Sequence, residues 1–213
     1  VSSRRAERTC DFADSTANDN QTPHDMYPGF QGADMAIWKG CSEWGSLPHG
    51  DGSGDPSQAA IGSGNANFDI SWQGSAPWHG GVGDNIHAAI NASSGGVLAY
   101  CQGSPNGWRI SYLDPPWVWE DGPGTYIGSR VDLQAIACHE YGHALGLGHS
   151  AVGNATMYPY YSGIVDRSIE SDDIAGLQKI YGVKASTKPV ITGVVVNPTT
   201  ITINGSNFSS DNN

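Results

Sequence analysis

The sequence predicts an α+β fold, on three observations. Asn67–Trp72, Val97–Tyr100 and Trp108–Leu113 alternate apolar and polar residues between Gly and Pro turns, as strands do. Apolar residues recur at helical spacing over 32–44, from Ser129 onward and after Ser171. The whole is 213 residues, enough for one domain with a real core and a short appendage.

In chain order, the first helix is expected from Gly32 to Trp44. Ala33, Ile37, Cys41 and Trp44 share one face, Asp34 lies near the start and Gly45 serves as terminator. Leu47 to Asn67 is rich in Gly, Ser, Asp and Pro and reads as an ordered loop. The strand candidates come next. A second helix begins near Ser129 and runs through Leu133, Ile136, Ala137 and Ala144 until Gly146 and Gly148 break it. In the third, the Ser171 hydroxyl is placed to cap, Asp172 and Asp173 favour the positive end, and Ile174, Leu177 and Tyr181 supply the buried face up to Gly182. Lys184 to Pro189 looks like a linker, and Val190 to Phe208 alternates like two strands around Asn197-Pro198. These last residues are too few to bury a core of their own, so the expected division is a domain over 1–183 and, over 184–213, a linker with the start of another module.

Ten Lys and Arg against 21 Asp and Glu give a net charge of −11, which repels nucleic acid and anionic membranes. No apolar run approaches the roughly 20 residues of a membrane span. The first residues carry no charged-then-apolar leader, so any secretory signal or pro-segment is expected to be already removed. Cys10, Cys41, Cys101 and Cys138 are even in number and lack any C-x-x-C spacing, which points to two disulfides in a secreted, monomeric protein. Three pairings are open; Cys10 with Cys41 and Cys101 with Cys138 is the expected one, four buried free thiols the alternative.

The chemistry is carried by His139-Glu140-Tyr141-Gly142-His143-Ala144-Leu145-Gly146-Leu147-Gly148-His149. His139 and His143, four apart, project from one helix face and can ligate a single ion. Gly146 can take the left-handed conformation that stops the helix and swings His149 round as a third ligand. Three neutral imidazoles leave one tetrahedral position open to water, the arrangement of a catalytic zinc. Zinc lowers the pKa of water toward about 7, and Glu140, beside the first ligand, is placed to take its proton during attack on a carbonyl and to pass it to the leaving amine. His24, His49, His79 and His87 have no such spacing and read as surface or loop residues.

This motif resembles that of the metzincin peptidases, and the stretch from Ser150 to Gly182 resembles the matrixin (matrix metalloproteinase-like) family, in a bacterial-type secreted form. Ser150 directly succeeds the third histidine, Ala155-Thr156-Met157-Tyr158-Pro159-Tyr160-Tyr161 is similar to the family's Met-turn, and Ser171 to Gly182 to its closing helix. The resemblance implies a twisted mixed sheet of about five strands, two long helices, and a lower part after His149 with the Met-turn and last helix. It implies Met157 as a hydrophobic floor beneath the zinc and Pro159, Tyr160 and Tyr161 as walls of the pocket for the residue after the scissile bond. It implies Val97, Leu98, Ala99 and Tyr100 as the edge strand that aligns an extended substrate. Where many animal matrixins have ligands for a second zinc, this chain has Tyr100 and His79-Gly80-Gly81, so one zinc is expected. Calcium is a possible structural ion, with oxygen ligands offered by Gly50 to Asp55, Asp84-Asn85 and Glu120-Asp121-Gly122. The faint pro-segment signal around Cys10 is the alternative to its pairing. Ile201 to Phe208 resembles the opening of immunoglobulin-like TIG modules.

The expected function is a secreted, zinc-dependent endopeptidase acting on extended protein or peptide substrates. The alternatives are a zinc-bearing adhesion module without catalysis and a zinc hydrolase of small amides or esters. The seven tryptophans invite sugar stacking, but core and cleft-wall packing accounts for them more simply; Pro115-Pro116-Trp117-Val118-Trp119 is the segment most like a substrate-contacting loop.

Overall fold

The computed structural model describes residues 4–9, 32–45, 62–75, 79–92, 95–103, 107–113, 116–120 and 129–210. Five strands form a mixed sheet in the order β2-β1-β3-β5-β4: β1 (Arg4–Thr9), β2 (Asp69–Ser75), β3 (Ile86–Ile90), β4 (Ala99–Gln102) and β5 (Arg109–Leu113). β1 runs parallel to β2 and β3, and β3 parallel to β5. β4 alone runs antiparallel, pairing Ala99 with Tyr112 and Gln102 with Arg109, and it closes one edge of the sheet. β1 and β3 carry no alternating signal. Four of the six residues of β1 are charged, whereas Ile86 to Ala89 in β3 are buried on both faces, as interior parallel strands are.

Three helices complete the described part: α1 (Gly32–Ser42), α2 (Leu133–Ala144) and α3 (Ser171–Tyr181). The expected face of α1 is buried, with Ala33, Ile37, Cys41 and Trp44 at 0% exposure. Gly40 lets α1 approach α2 closely: a Cβ there would lie 2.9 Å from the Cys138 backbone nitrogen. α2 starts at Leu133 rather than Ser129, because Val131–Asp132 forms a short strand, β7, parallel to β6 (Trp119–Glu120). Asp132 is its N-cap, accepting the Ala135 N–H at 2.8 Å. α3 is capped by Glu170 rather than Ser171: the Glu170 side chain and that of Asp173 each accept a backbone N–H of the other's end, in a capping box.

β8 (Val190–Asn197) and β9 (Thr200–Ser206) form an antiparallel hairpin. Ile191, Val196 and Ile201 lie exposed on it, and none of residues 184–210 is buried. The main core among the described residues draws on α1, α2, α3, Phe68 and the sheet, around Trp44, Trp108, Tyr112, Tyr141 and Leu177.

Candidate metal centre

His139 and His143 stand one turn apart on α2, and the helix ends so as to bring His149 to them. Leu145 is the C-cap residue and Gly146 takes φ 102°. The Leu147 N–H reaches back to Gly142 O at 3.0 Å and the Gly146 N–H to His143 O at 2.9 Å, a Schellman turn that favours glycine at its left-handed position. The three imidazoles then face one another, with ring centroids 4.8 to 5.4 Å apart and one ligand atom of each within 4.8 Å of the others.

The rings are oriented for a metal. His139 Nδ1 lies 2.6 Å from Thr156 O and His143 Nδ1 2.8 Å from Leu147 O, so each Nδ1–H donates to a carbonyl and each Nε2 lone pair is left for an ion. Burial lowers the His139 pKa to about 4 and lowers that of His143, the carbonyl bonds opposing, so both stay neutral as ligands must. Among the described residues these histidines are the one cluster of His, Cys, Asp and Glu with that capacity.

The Thr156 carbonyl is itself fixed. Asp173, buried at the start of α3, accepts the N–H groups of Thr156 at 2.8 Å, Met157 at 3.0 Å and Glu170 at 2.9 Å. The Ser150 N–H bonds Met157 O at 2.8 Å, closing the loop after His149. Met157, 2% exposed, lies against α2 at Gly142.

Glu140 is buried beside this cluster. Burial pushes its pKa up to about 8, a backbone hydrogen bond from Cys101 pulling the other way, and its Oε2 has no protein hydrogen-bond partner. A cation on the three imidazoles would oppose that rise, which makes the site chemically suited to one. The cluster opens into a cavity of about 780 Å³ whose lining includes β4, Glu140, His143 and His149.

The remaining expectations divide. Ala99 and Tyr100 are on the edge strand β4, while Val97 and Leu98 precede it; Leu98 O holds the Leu113 N–H at 3.0 Å. Trp117 acts as packing, donating Nε1–H to Val97 O at 2.7 Å. Pro159 and Tyr160 are exposed, and Tyr161 is half-buried. The Cys101–Cys138 disulfide is not formed, since both are free thiols: Cys101 lines the cavity, while Cys138 faces α1 and Trp44, on another side of α2 from Glu140. Cys41, the expected partner of Cys10, is also a free thiol, its Sγ 3.6 Å from His87 Nε2. His87, expected at the surface, is fully buried on β3, with Nδ1 2.9 Å from the Tyr112 hydroxyl. His79 is exposed. Of the calcium candidates, Asp84 accepts the Gly81 N–H, Asn85 that of Trp108, and Glu120 pairs with Arg130 at 2.8 Å. Cys10, His24, His49, residues 50–55, Pro115, Asp121 and Gly122 lie outside the described residues.

Three buried acids went unread in the sequence. Besides Asp173, Glu43 holds the Gly62 N–H at 3.0 Å, the Ser63 hydroxyl and the Ile169 N–H, and Asp132 pairs with Arg167. A charged residue next to a turn reads as solvated, and only its partners from distant parts of the chain reveal otherwise.

Comparison with known proteins agrees with this geometry. The family profile described as Matrixin matches residues 55–182, more than half of the chain. The hatching enzyme of Paracentrotus lividus is 43% identical over 89 residues, 41% of this chain and 14% of its own length. Matrilysin of Rattus norvegicus is 46% identical over 74 residues, 34% of this chain and 26% of its own. Karilysin of Tannerella forsythia is 36% identical over 109 residues, 50% of this chain and 19% of its own. The chain thus spans about a quarter or less of the length of these relatives.

Proposed function

Because this chain belongs to the matrixin family of zinc metalloendopeptidases, we propose that it is a secreted, bacterial-type zinc-dependent endopeptidase that cuts within extended protein or peptide segments. One observation carries the reading: three imidazoles converge within 4.8 Å, two of them tethered through Nδ1, beside a buried carboxylate with an unpartnered oxygen. His139, His143 and His149 are assigned as the zinc ligands. Bound zinc would supply Lewis acidity, activating a water and polarising the substrate carbonyl. Glu140 Oε2 takes the proton from that water and returns it to the departing amine; its pKa, raised by burial, suits both transfers. β4 offers its free edge to the substrate backbone, with Val97 and Leu98 extending the contact, and Met157 is the floor beneath the ligands, in the family's Met-turn. Pro159, Tyr160 and Tyr161 wall the pocket for the residue after the cut.

Residues 1–183 are assigned to the peptidase domain and 184–213 to a linker and a TIG-like segment. The family match ends at 182, and no described residue beyond 183 is buried.

The test is metal analysis beside casein cleavage, with and without a chelator, on the chain and on Glu140→Ala. The expected result is one zinc per chain and chelator-sensitive cleavage. Glu140→Ala should keep fold and zinc while losing about two to four powers of ten in rate. Near-normal cleavage by that variant would sink the mechanism; zinc without any cleavage by the unaltered chain would favour the adhesion module.

A further inference from the structure

Asp132 ties together three parts of the molecule that the peptidase reading uses. Its Oδ1 caps α2, the helix of the first two ligands, at 2.8 Å from Ala135 N. Its backbone N–H donates to the Tyr161 hydroxyl at 2.9 Å. Both its carboxylate oxygens lie 3.0 Å from Arg167 Nε, and Oδ2 also takes Arg167 Nη2. Arg167 ends the short 3₁₀ turn Ile164–Arg167, and the side chains of Arg167 and Asp132 are 2% and 0% exposed.

Resting on the endopeptidase reading, we propose that Asp132 and Arg167 are positioning residues that set the selectivity of the pocket for the residue after the scissile bond. Tyr161 walls that pocket, and the segment from Tyr161 to Arg167 floors it. The segment is closed on itself, Asp166 Oδ2 accepting the Ser162 N–H at 2.6 Å and the Asp166 N–H reaching Gly163 O at 3.1 Å. Asp132 therefore fixes the wall through Tyr161 and the far end of the floor through Arg167, both to the helix that holds His139. A buried ion pair seldom stabilises a fold more than apolar packing of the same volume, but a planar guanidinium gripped by a carboxylate fixes direction as well as distance. A pocket held in this way keeps one depth and discriminates between side chains that differ by a few methylenes.

The experiment compares Arg167→Lys and Tyr161→Phe with the unaltered, zinc-loaded chain on peptides that differ only in having Ala, Leu or Phe after the cut. Hydrogen exchange of the 161–167 amides is measured in parallel. Lysine keeps the charge and loses the fork; phenylalanine keeps the ring and loses the acceptor of the Asp132 N–H. The expected result is that the kcat/KM ratio between long and short side chains falls by about fivefold or more in each variant, mainly through KM, with faster exchange over 161–167 and zinc retained. An unchanged ratio with unchanged exchange would overturn the proposal, as would an equal fall of kcat on all three peptides. If Arg167→Lys does not fold, the ratio in Tyr161→Phe decides, since that variant leaves the ion pair intact. If the unaltered chain holds zinc and cleaves none of the peptides, the endopeptidase reading fails first and the pocket proposal falls with it.

Discussion

Gly142 and Met157 are packed so closely that α2 has no room for a side chain at that position: a Cβ there would run into Met157 Sδ and come within 2.8 Å of the Trp44 ring. In an isolated helix, alanine would be favoured over glycine by about 1 kcal/mol. Here the overpacking outweighs that gain, because Met157 is 2% exposed and Trp44 0% exposed, so neither has space to retreat. Gly142→Ala should lower stability by about 1–3 kcal/mol in denaturant titrations and weaken zinc retention, since Met157 adjoins Thr156, whose carbonyl orients His139. An unchanged midpoint would show that Met157 moves aside freely.

Asp173 is the second support of the same loop. Its carboxylate accepts three backbone N–H groups, from Thr156, Met157 and Glu170, inside a buried region. In Asp173→Asn the amide nitrogen must face one of those donors, leaving at least one N–H without an acceptor. The expected loss is about 2–4 kcal/mol of stability, with slower zinc uptake by the chelator-treated protein. Equal stability would show that the loop is held by other bonds, the Thr156 hydroxyl to Ser168 O among them.

How far the sequence carries is visible in these bonds. The metal cluster was legible because its spacing is local: a step of four from His139 to His143, a glycine at 146, a third histidine at 149. The buried faces of α1 and α2 were legible for the same reason, since helical periodicity lies within one element. What escaped depends on distant partners. β3 gives no alternation because both its faces are covered, and β1 pairs despite its charges. Asp132 and Arg167 are 35 residues apart, and His87 meets Tyr112 only because β3 lies beside β5. Cysteine parity suggested disulfides, but parity carries no geometry, and Cys101 and Cys138 are free thiols in different surroundings, one lining the cavity and one buried against Trp44.

The three histidines should respond unequally to removal. His139 and His143 are each tethered by a short Nδ1 bond, whereas His149 is exposed and has no such tether among the described residues. In chelator-treated protein, His149→Ala should melt like the unaltered chain, while His139→Ala should lose about 1 kcal/mol through its bond to Thr156. With zinc added in excess, the unaltered chain should gain stability by mass action and both variants should gain less. A zinc-dependent shift undiminished in His149→Ala would remove His149 from the ligand set.

The thiols of Cys101 and Cys138 carry a pH dependence of known sign. Burial pushes the Cys101 thiol up to about 12, the Glu140 carboxylate adding to the rise. Burial likewise raises Cys138 well above its usual value, with Glu43, Asp173 and Asp166 acting in the same direction and Trp44 against it. A folded-state pKa above the unfolded one means that the stabilising contribution is full below about pH 9 and is lost as pH rises beyond that. Alkylation requires the thiolate, so a shift from 9.0 to about 12 slows Cys101 about a thousandfold at pH 8, and Cys138 is also closed to reagent by burial. Intact-mass analysis after iodoacetamide should therefore find both unmodified in the native protein and both modified in guanidinium without reductant. If they resist alkylation in guanidinium until reductant is added, they are joined after all. Rapid labelling of native Cys101 would mean instead that the cavity leaves its thiol open to water.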